Sequence, residues 1–154
     1  MINFREVIIE MAKNGRLFNP IDKEKEKEIE KWINQIEKEN DEFDANMKIW
    51  NKLREIFKNA KKEKDYNKII EIGKTIIDFD SYAKDIGVFT PLFEKDIADA
   101  YLKLGQKDEA IVHFQSAIKG YKADQKERAG KWKQNGTWQK DIDRLEAKVQ
   151  KLFS

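Results

Sequence analysis

The sequence predicts an all-α protein built from antiparallel helix pairs. Three observations carry that expectation. Charged residues fill 39% of the 154 positions while Pro occurs only twice, and a Lys- and Glu-rich chain with so few breakers favours helix over strand. Apolar residues recur at three-to-four spacing along most of the chain, the period of one helical face. Near the centre, Ala98, Gly105, Ala110 and Ala117 put small residues where two helix backbones would approach closely.

Taken in order, residues 3–13 read as a short amphipathic helix with Phe4, Val7, Ile8 and Met11 on one side. Asn14-Gly15 stops it, since Gly takes the left-handed conformation with little steric cost. Asn19-Pro20 starts the next helix, with Asp22 and Glu24 in its electropositive first turn. From Ile21 to Ile72 there is neither Gly nor Pro, and Ile29, Ile36, Phe43, Trp50 and Phe57 fall at strict seven-residue intervals. This stretch reads either as one helix to about Lys62 or as two helices broken near Asn40-Asp41. The rarity of helices beyond about 25 residues favours the break. A coiled-coil homodimer through the seven-residue row is the competing reading, and Glu39 and Asn46 interrupt the companion row.

A helix over 65–86 follows, with Ile69, Ile72, Ile76, Phe79, Ala83 and Ile86 in phase; Gly87 ends it. Thr90-Pro91 caps and opens the next, in which Phe93, Ile97, Tyr101 and Leu104 share a face. After a turn at Gly105, Ile111, Phe114, Ile118, Tyr121, Ala129 and Trp132 continue one phase, so a single long helix is expected from Asp108 to about Lys133. Asn135-Gly136 stops it, Thr137 is read as the cap, and Trp138, Ile142, Leu145, Val149 and Leu152 form the stripe of a last helix.

Residues Ala98, Tyr101, Gly105, Ala110, Phe114 and Ala117 resemble the consensus of a tetratricopeptide repeat (TPR), a helix-turn-helix unit of 34 residues. The likeness covers one repeat, residues 91–124. Glu94 stands where an early aromatic is usual, and Lys122-Ala123-Asp124 replaces the closing Pro. The resemblance implies a short, irregular, right-handed TPR-like solenoid. It is expected to form a single helical domain over 1–154, with an N-terminal helical cap (1–40), helix pairs over 41–154 and a capping helix over 138–153 that covers the last apolar face.

Composition narrows the function. No apolar run approaches the length of a membrane span, no signal-peptide core is present, and Cys is absent, so no disulfide framework or thiolate chemistry is available and a cytoplasmic location is expected. No HExxH, glycine-rich phosphate loop, GxSxG or EF-hand loop occurs. The single His, His113, lies beside a packed stripe without a visible catalytic or metal partner. No carboxylate sits in an apolar run that would raise its pKa for acid–base work. A non-catalytic protein without a cofactor or metal is therefore expected. The four Trp residues belong to apolar rows and read as packing rather than base-stacking platforms.

The net charge is only +2, but its distribution is uneven. Asp22–Asp44 holds 10 acids against 5 Lys, whereas Lys48–Lys64 holds 7 bases against 2 acids and Lys119–Lys133 holds 6 against 2. Solvation of helix surfaces accounts for much of this; the opposite signs of the first two segments also suit them to lie against each other. In TPR proteins the first helices of successive pairs line a concave, peptide-holding surface. The resemblance therefore implies a groove formed by Asn51, Arg54, Lys58 and Lys62 with Lys95, Asp99, Leu102 and Lys103, extended by Lys126 and Lys133. Arg54, Lys58 and Lys62 share one surface by helical spacing alone. Asp99 stands where the carboxylate-clamp subset has Asn, which would repel a terminal carboxylate. The expected partner is a protein or acidic peptide, not a membrane. Nucleic-acid binding through the Lys/Arg strips is the alternative, followed by an enzyme whose site assembles from distant residues.

Overall fold

A computed structural model describes residues 42–131 and 136–154, with Lys27 and Lys31 placed in helix. The N-terminal helix over 3–13, the question of a break near Asn40, Ile29 and Ile36 of the seven-residue row, Trp132 and Lys133 lie outside the described residues. Among the described residues the chain is all-α: α1 (Glu42–Glu63), α2 (Tyr66–Tyr82), a 3-10 turn (Lys84–Ile86), α3 (Thr90–Lys103), α4 (Lys107–Lys131) and α5 (Gln139–Phe153). Packing is mostly between sequence neighbours, and the chain divides into two compact units, Met1–Val88 and Phe89–Ser154.

In the first unit, α1 opens with Glu42 and Asp44 and closes with Lys61 and Lys62, charges that complement the helix dipole at each end. Its buried stripe is Asn46, Ile49, Leu53, Phe57 and Ala60. Of the described members of the seven-residue row, Phe57 lies in the core, Trp50 is half-buried and Phe43 is 47% exposed. A straight helix turns 3.6 residues per turn, so a strict seven-residue row drifts about 20° per heptad away from a fixed face. The stripe that packs on α2 follows 3.6 instead, and takes in Asn46, whose Oδ1 is buried without a hydrogen-bond partner among the described residues.

The hairpin turn puts Lys64 in the left-handed region at φ 56°. The next N–H, of Asp65, bonds back to Ala60 O at 3.0 Å, closing the end of α1 in Schellman fashion. Asp65 then caps α2 by accepting from the Lys68 N–H at 3.2 Å. Ile69, Ile72, Ile76 and Phe79 fill the core on the α2 side. The helix expected to reach Ile86 stops at Tyr82 instead. Ala83, fully buried, leaves the helical region, and the 3-10 turn folds back onto α1 before Gly87 closes it at φ 71°. Apolar phase alone did not mark this stop, because Ala83 and Ile86 keep inward positions through the tighter turn.

In the second unit, α3 begins at Thr90, with Phe89 in the cap position and Pro91 in the first turn. Thr90 is thus inside the helix rather than its cap. The turn into α4 has Gly105 at φ 77° and Gln106 N–H donating to Tyr101 O at 2.8 Å. A Cβ at Gly105 would meet nothing within 4 Å, so this glycine serves the left-handed turn and not a close helix contact. Ala98, Ala110 and Ala117 are each fully buried. The tight helix approach lies elsewhere, at Gly120, where a Cβ would stand 2.5 Å from Pro91 Cγ.

The long helix α4 is continuous through both of its glycines to Lys131. Gly136, at φ 71°, precedes α5, whose cap position is occupied by Trp138 rather than Thr137. Ile142, Leu145 and Val149 are buried as the stripe predicts.

Phe114 is fully buried, and Phe114→Ala is expected to lower stability by about 3–5 kcal/mol, measured by chemical denaturation. The two α4 glycines should respond with opposite signs. Gly130→Ala, where a Cβ meets nothing within 4 Å, should stabilise by about 0.5–1 kcal/mol. Gly120→Ala should instead destabilise by about 1–3 kcal/mol, because the Pro91 ring cannot swing aside.

Candidate functional site

On α1, Asn51, Arg54, Lys58 and Lys62 are all exposed. Arg54 and Lys58 each follow a buried residue, Leu53 and Phe57, by one position, about 100° round the helix. Asn51 Oδ1 accepts a hydrogen bond from Arg54 at 3.3 Å, and the guanidinium lies 5.9 Å from the Trp50 ring centroid. Arg54, Lys58 and Lys62 have no acidic partner among the described residues.

In the second unit, Lys95, Asp99 and Leu102 are half-buried and Lys103 is exposed on α3. Asp99 is paired: Lys148 Nζ of α5 donates to its Oδ1 at 2.7 Å, and the same ammonium lies 5.0 Å from the Phe114 ring. Lys126 is exposed on α4, four residues after Lys122 and seven after Lys119. Sequence reasoning missed Lys148 and, one turn to either side of it, Arg144 and Lys151, because nothing local marks α5 as the neighbour of α3. The register supplies that mark. Phe89 stacks on Trp138 at 5.1 Å and Asp99 meets Lys148, both at a separation of 49 residues, so α3 and α5 run parallel. Against them α4 is antiparallel, with Glu94 opposite His113 and Lys122 opposite Glu146.

The His113 ring stacks on Tyr101 (centroids 5.4 Å apart) and bonds through Nδ1 to Glu94 Oε2 at 2.7 Å. An ionised carboxylate only accepts, so Nδ1 carries the proton. Glu94 thereby ties α3 to α4.

At the other end of the unit, Asp124 anchors the start of α5. Its Oδ2 accepts from Trp138 Nε1 at 2.6 Å and from Arg128 Nε at 2.7 Å. Gln125 Oε1 accepts from the Trp138 backbone N–H at 2.7 Å. Burial alone would push the Asp124 pKa up, but the hydrogen bonds from Trp138 and Arg128 outweigh it and hold the carboxyl below its ordinary range. Tyr121, within the same aromatic cluster, is pushed up by burial and then by the Asp141 and Asp96 carboxylates. Two carboxylates on α2 are raised. Partial burial and then Asp65 lift Glu71, and partial burial lifts Asp80.

Among the described residues no group of three or more His, Cys, Asp or Glu side chains could hold a metal ion. No described helix is long and apolar enough to cross a membrane. Comparisons with protein families, with curated proteins and with solved structures return no match.

Because the folded state holds the Asp124 proton off to a lower pH than the unfolded chain does, this group stabilises the fold above the unfolded value of about 3.9. That contribution is lost as pH falls from there through the lower folded value. Asp124→Asn is expected to lower stability by about 1–2 kcal/mol at neutral pH and to flatten the acid limb of the stability profile below about pH 4. Urea melts across pH check both.

Proposed function

We propose that the protein is a non-catalytic, TPR-like interaction module that takes an acidic peptide along its basic helix faces. The observation that carries this reading is the row Arg54, Lys58 and Lys62 on α1, exposed beside Asn51 and lacking any acidic partner among the described residues. Long cationic side chains on a rigid helix offer an extended acidic chain several contacts in register, which favours rapid association and selects against basic partners.

The arrangement of the second unit supports the TPR-like part. A TPR array runs first helix, second helix, then the first helix of the next unit parallel to the first; α3, α4 and α5 follow that order. Their separation of 49 residues exceeds the family's 34, and the 25-residue α4 accommodates part of the excess. Lys95 and Lys103 of α3, with Arg144 and Lys151 of α5, flank the Asp99–Lys148 pair by helical spacing and add a second basic strip. In this setting Asp99 is neutralised within the chain, so it does not oppose an acidic ligand as a free carboxylate would.

Fluorescence anisotropy with a labelled Glu/Asp-rich peptide, a neutral peptide of equal length and a single-stranded RNA tests the assignment. The acidic peptide is expected to bind and the neutral one not. The triple variant Arg54→Glu, Lys58→Glu, Lys62→Glu should weaken binding on the order of tenfold or more with an unchanged melting temperature. Preferred binding of the RNA, with a steep log–log salt slope, would transfer the assignment to nucleic acid.

A further inference from the structure

Within the second unit, α4 and α5 carry a further face between them. Between α4 and α5 runs an open groove of about 310 Å³ lined by Gln115, Ile118, Glu146, Val149, Gln150 and Phe153. Its floor is apolar, and Phe153 at one end is 68% exposed, with Val112 56% exposed one turn from Gln115. Glu146, the one ionisable lining residue, is paired with Lys122 at 2.6 Å. In a chain with 39% charged residues, an apolar groove with no net charge stands apart from its surroundings. The capping helix leaves an apolar edge of its own.

The two walls differ in sign. The α4 wall presents Val112, Gln115, Lys119, Lys122 and Lys126, three bases and no acid, at alternating three- and four-residue steps. The α5 wall presents Asp143, Glu146, Gln150 and Phe153, two acids and no base, at the same steps. All nine side chains are exposed. These steps are those of helices that pack side by side with interlocking side chains.

We propose that a second copy of the chain docks on this face, α4 of one protomer lying on α5 of the other. A two-fold axis parallel to the helices brings the walls together in that way, and such a contact is self-complementary. The rotation preserves level along the helices. The Lys122–Glu146 bridge fixes those two residues at one level, so the partner's Glu146 and Asp143 meet the Lys119–Lys126 row. Gln115 and Phe153 share the other end of the groove, so the partner's Phe153 closes over Gln115 and Val112. Charge meets opposite charge and apolar meets apolar without any sliding. The four helices form an all-antiparallel bundle, since α4 is antiparallel to both copies of α5. With α5 only 15 residues long, about 22 Å, the contact is at the small end of specific interfaces, and the dimer is reversible.

Sedimentation velocity on the full chain from about 5 to about 500 µM reads the equilibrium directly, since a reversible dimer depends on concentration. Expected is a monomer–dimer transition within that range. The pair Lys119→Glu with Lys126→Glu, and separately Asp143→Lys with Glu146→Lys, should each stay monomeric where the unaltered chain dimerises. An equimolar mixture of the two charge-reversed chains should dimerise again, because each acidic wall then meets a basic one. Phe153→Ala, an exposed position whose truncation leaves the core intact, should raise the dissociation constant on the order of tenfold. The proposal is overturned by a monomer across the whole range. It is equally overturned by a dimer indifferent to Phe153→Ala, or by charge-reversed chains that associate unmixed as well as the unaltered one. Thermal melts of each variant separate loss of docking from loss of fold, and the Phe153→Ala result decides where a charge-reversed chain does not fold.

Discussion

The approach of α3 to α4 sets the geometry on which the second unit depends. Pro91 lies where a side chain at Gly120 would have to be, 2.5 Å from a Cβ that the glycine lacks. Ala98, Ala110 and Ala117 are completely buried along the same pair. Small residues in these places let two backbones come together more closely than Leu or Ile would allow, and dense packing then fixes their relative position. The full side chains of Ile97, Phe114 and Tyr121 close over what remains. A Gly in a helix interior is unfavourable by roughly 1 kcal/mol against Ala, and at Gly120 that penalty is offset by a contact no other residue permits.

Once α3 and α4 are fixed, α5 is held at two levels by different chemistry. At its start, Trp138 is wedged between Phe89 and Tyr121 while its indole N–H reaches Asp124. Aromatic side chains suit this place, because the ring packs and the N–H still finds an acceptor. Further along, Lys148 spans to Asp99 with its ammonium over the Phe114 ring, so one charged residue contributes a cation–π contact as well as an ion pair. That pair is partly exposed, 42% and 36%, and as a surface ion pair it is worth little in stability. Its consequence is positional, since it keeps α5 parallel to α3 and brings their cations onto one strip.

Much of this was legible because small residues and apolar spacing report on one helix and its nearest neighbour. The alanines, the left-handed turn at Gly105, the unbroken α4 and the stripe of α5 all follow from such local signals. What could not be read locally needed a partner distant in sequence. A glycine inside a helix, such as Gly120, has no local signal for its place, which only Pro91 beside it explains. Asp99 looked like a repulsive carboxylate until Lys148 arrived from 49 residues away. Within the chain, the buried face of α1 follows the 3.6 period through Asn46, Ile49 and Leu53, which the seven-residue spacing of Phe43 and Trp50 did not mark. Helical spacing alone put Arg54, Lys58 and Lys62 on one exposed surface of α1. The pairing of Lys148 with Asp99 required the parallel register.

The chain therefore separates two kinds of surface by charge arithmetic. The α1 row has cations with no opposite sign among the described residues, so two copies meeting there would bring like charges together, an arrangement that costs several kcal/mol. A partner for that row has to bring its own negative charge. The α4 and α5 walls have opposite signs on one face, and two copies meeting there neutralise each other without any foreign group. Apolar floor and exposed Phe153 then supply attraction that salt does not screen, whereas the recognition proposed at the α1 row would rest on charges that salt screens freely. Raising ionic strength should thus weaken the proposed peptide capture before it separates the proposed dimer, a difference that follows from where the apolar surface lies rather than from the number of charges.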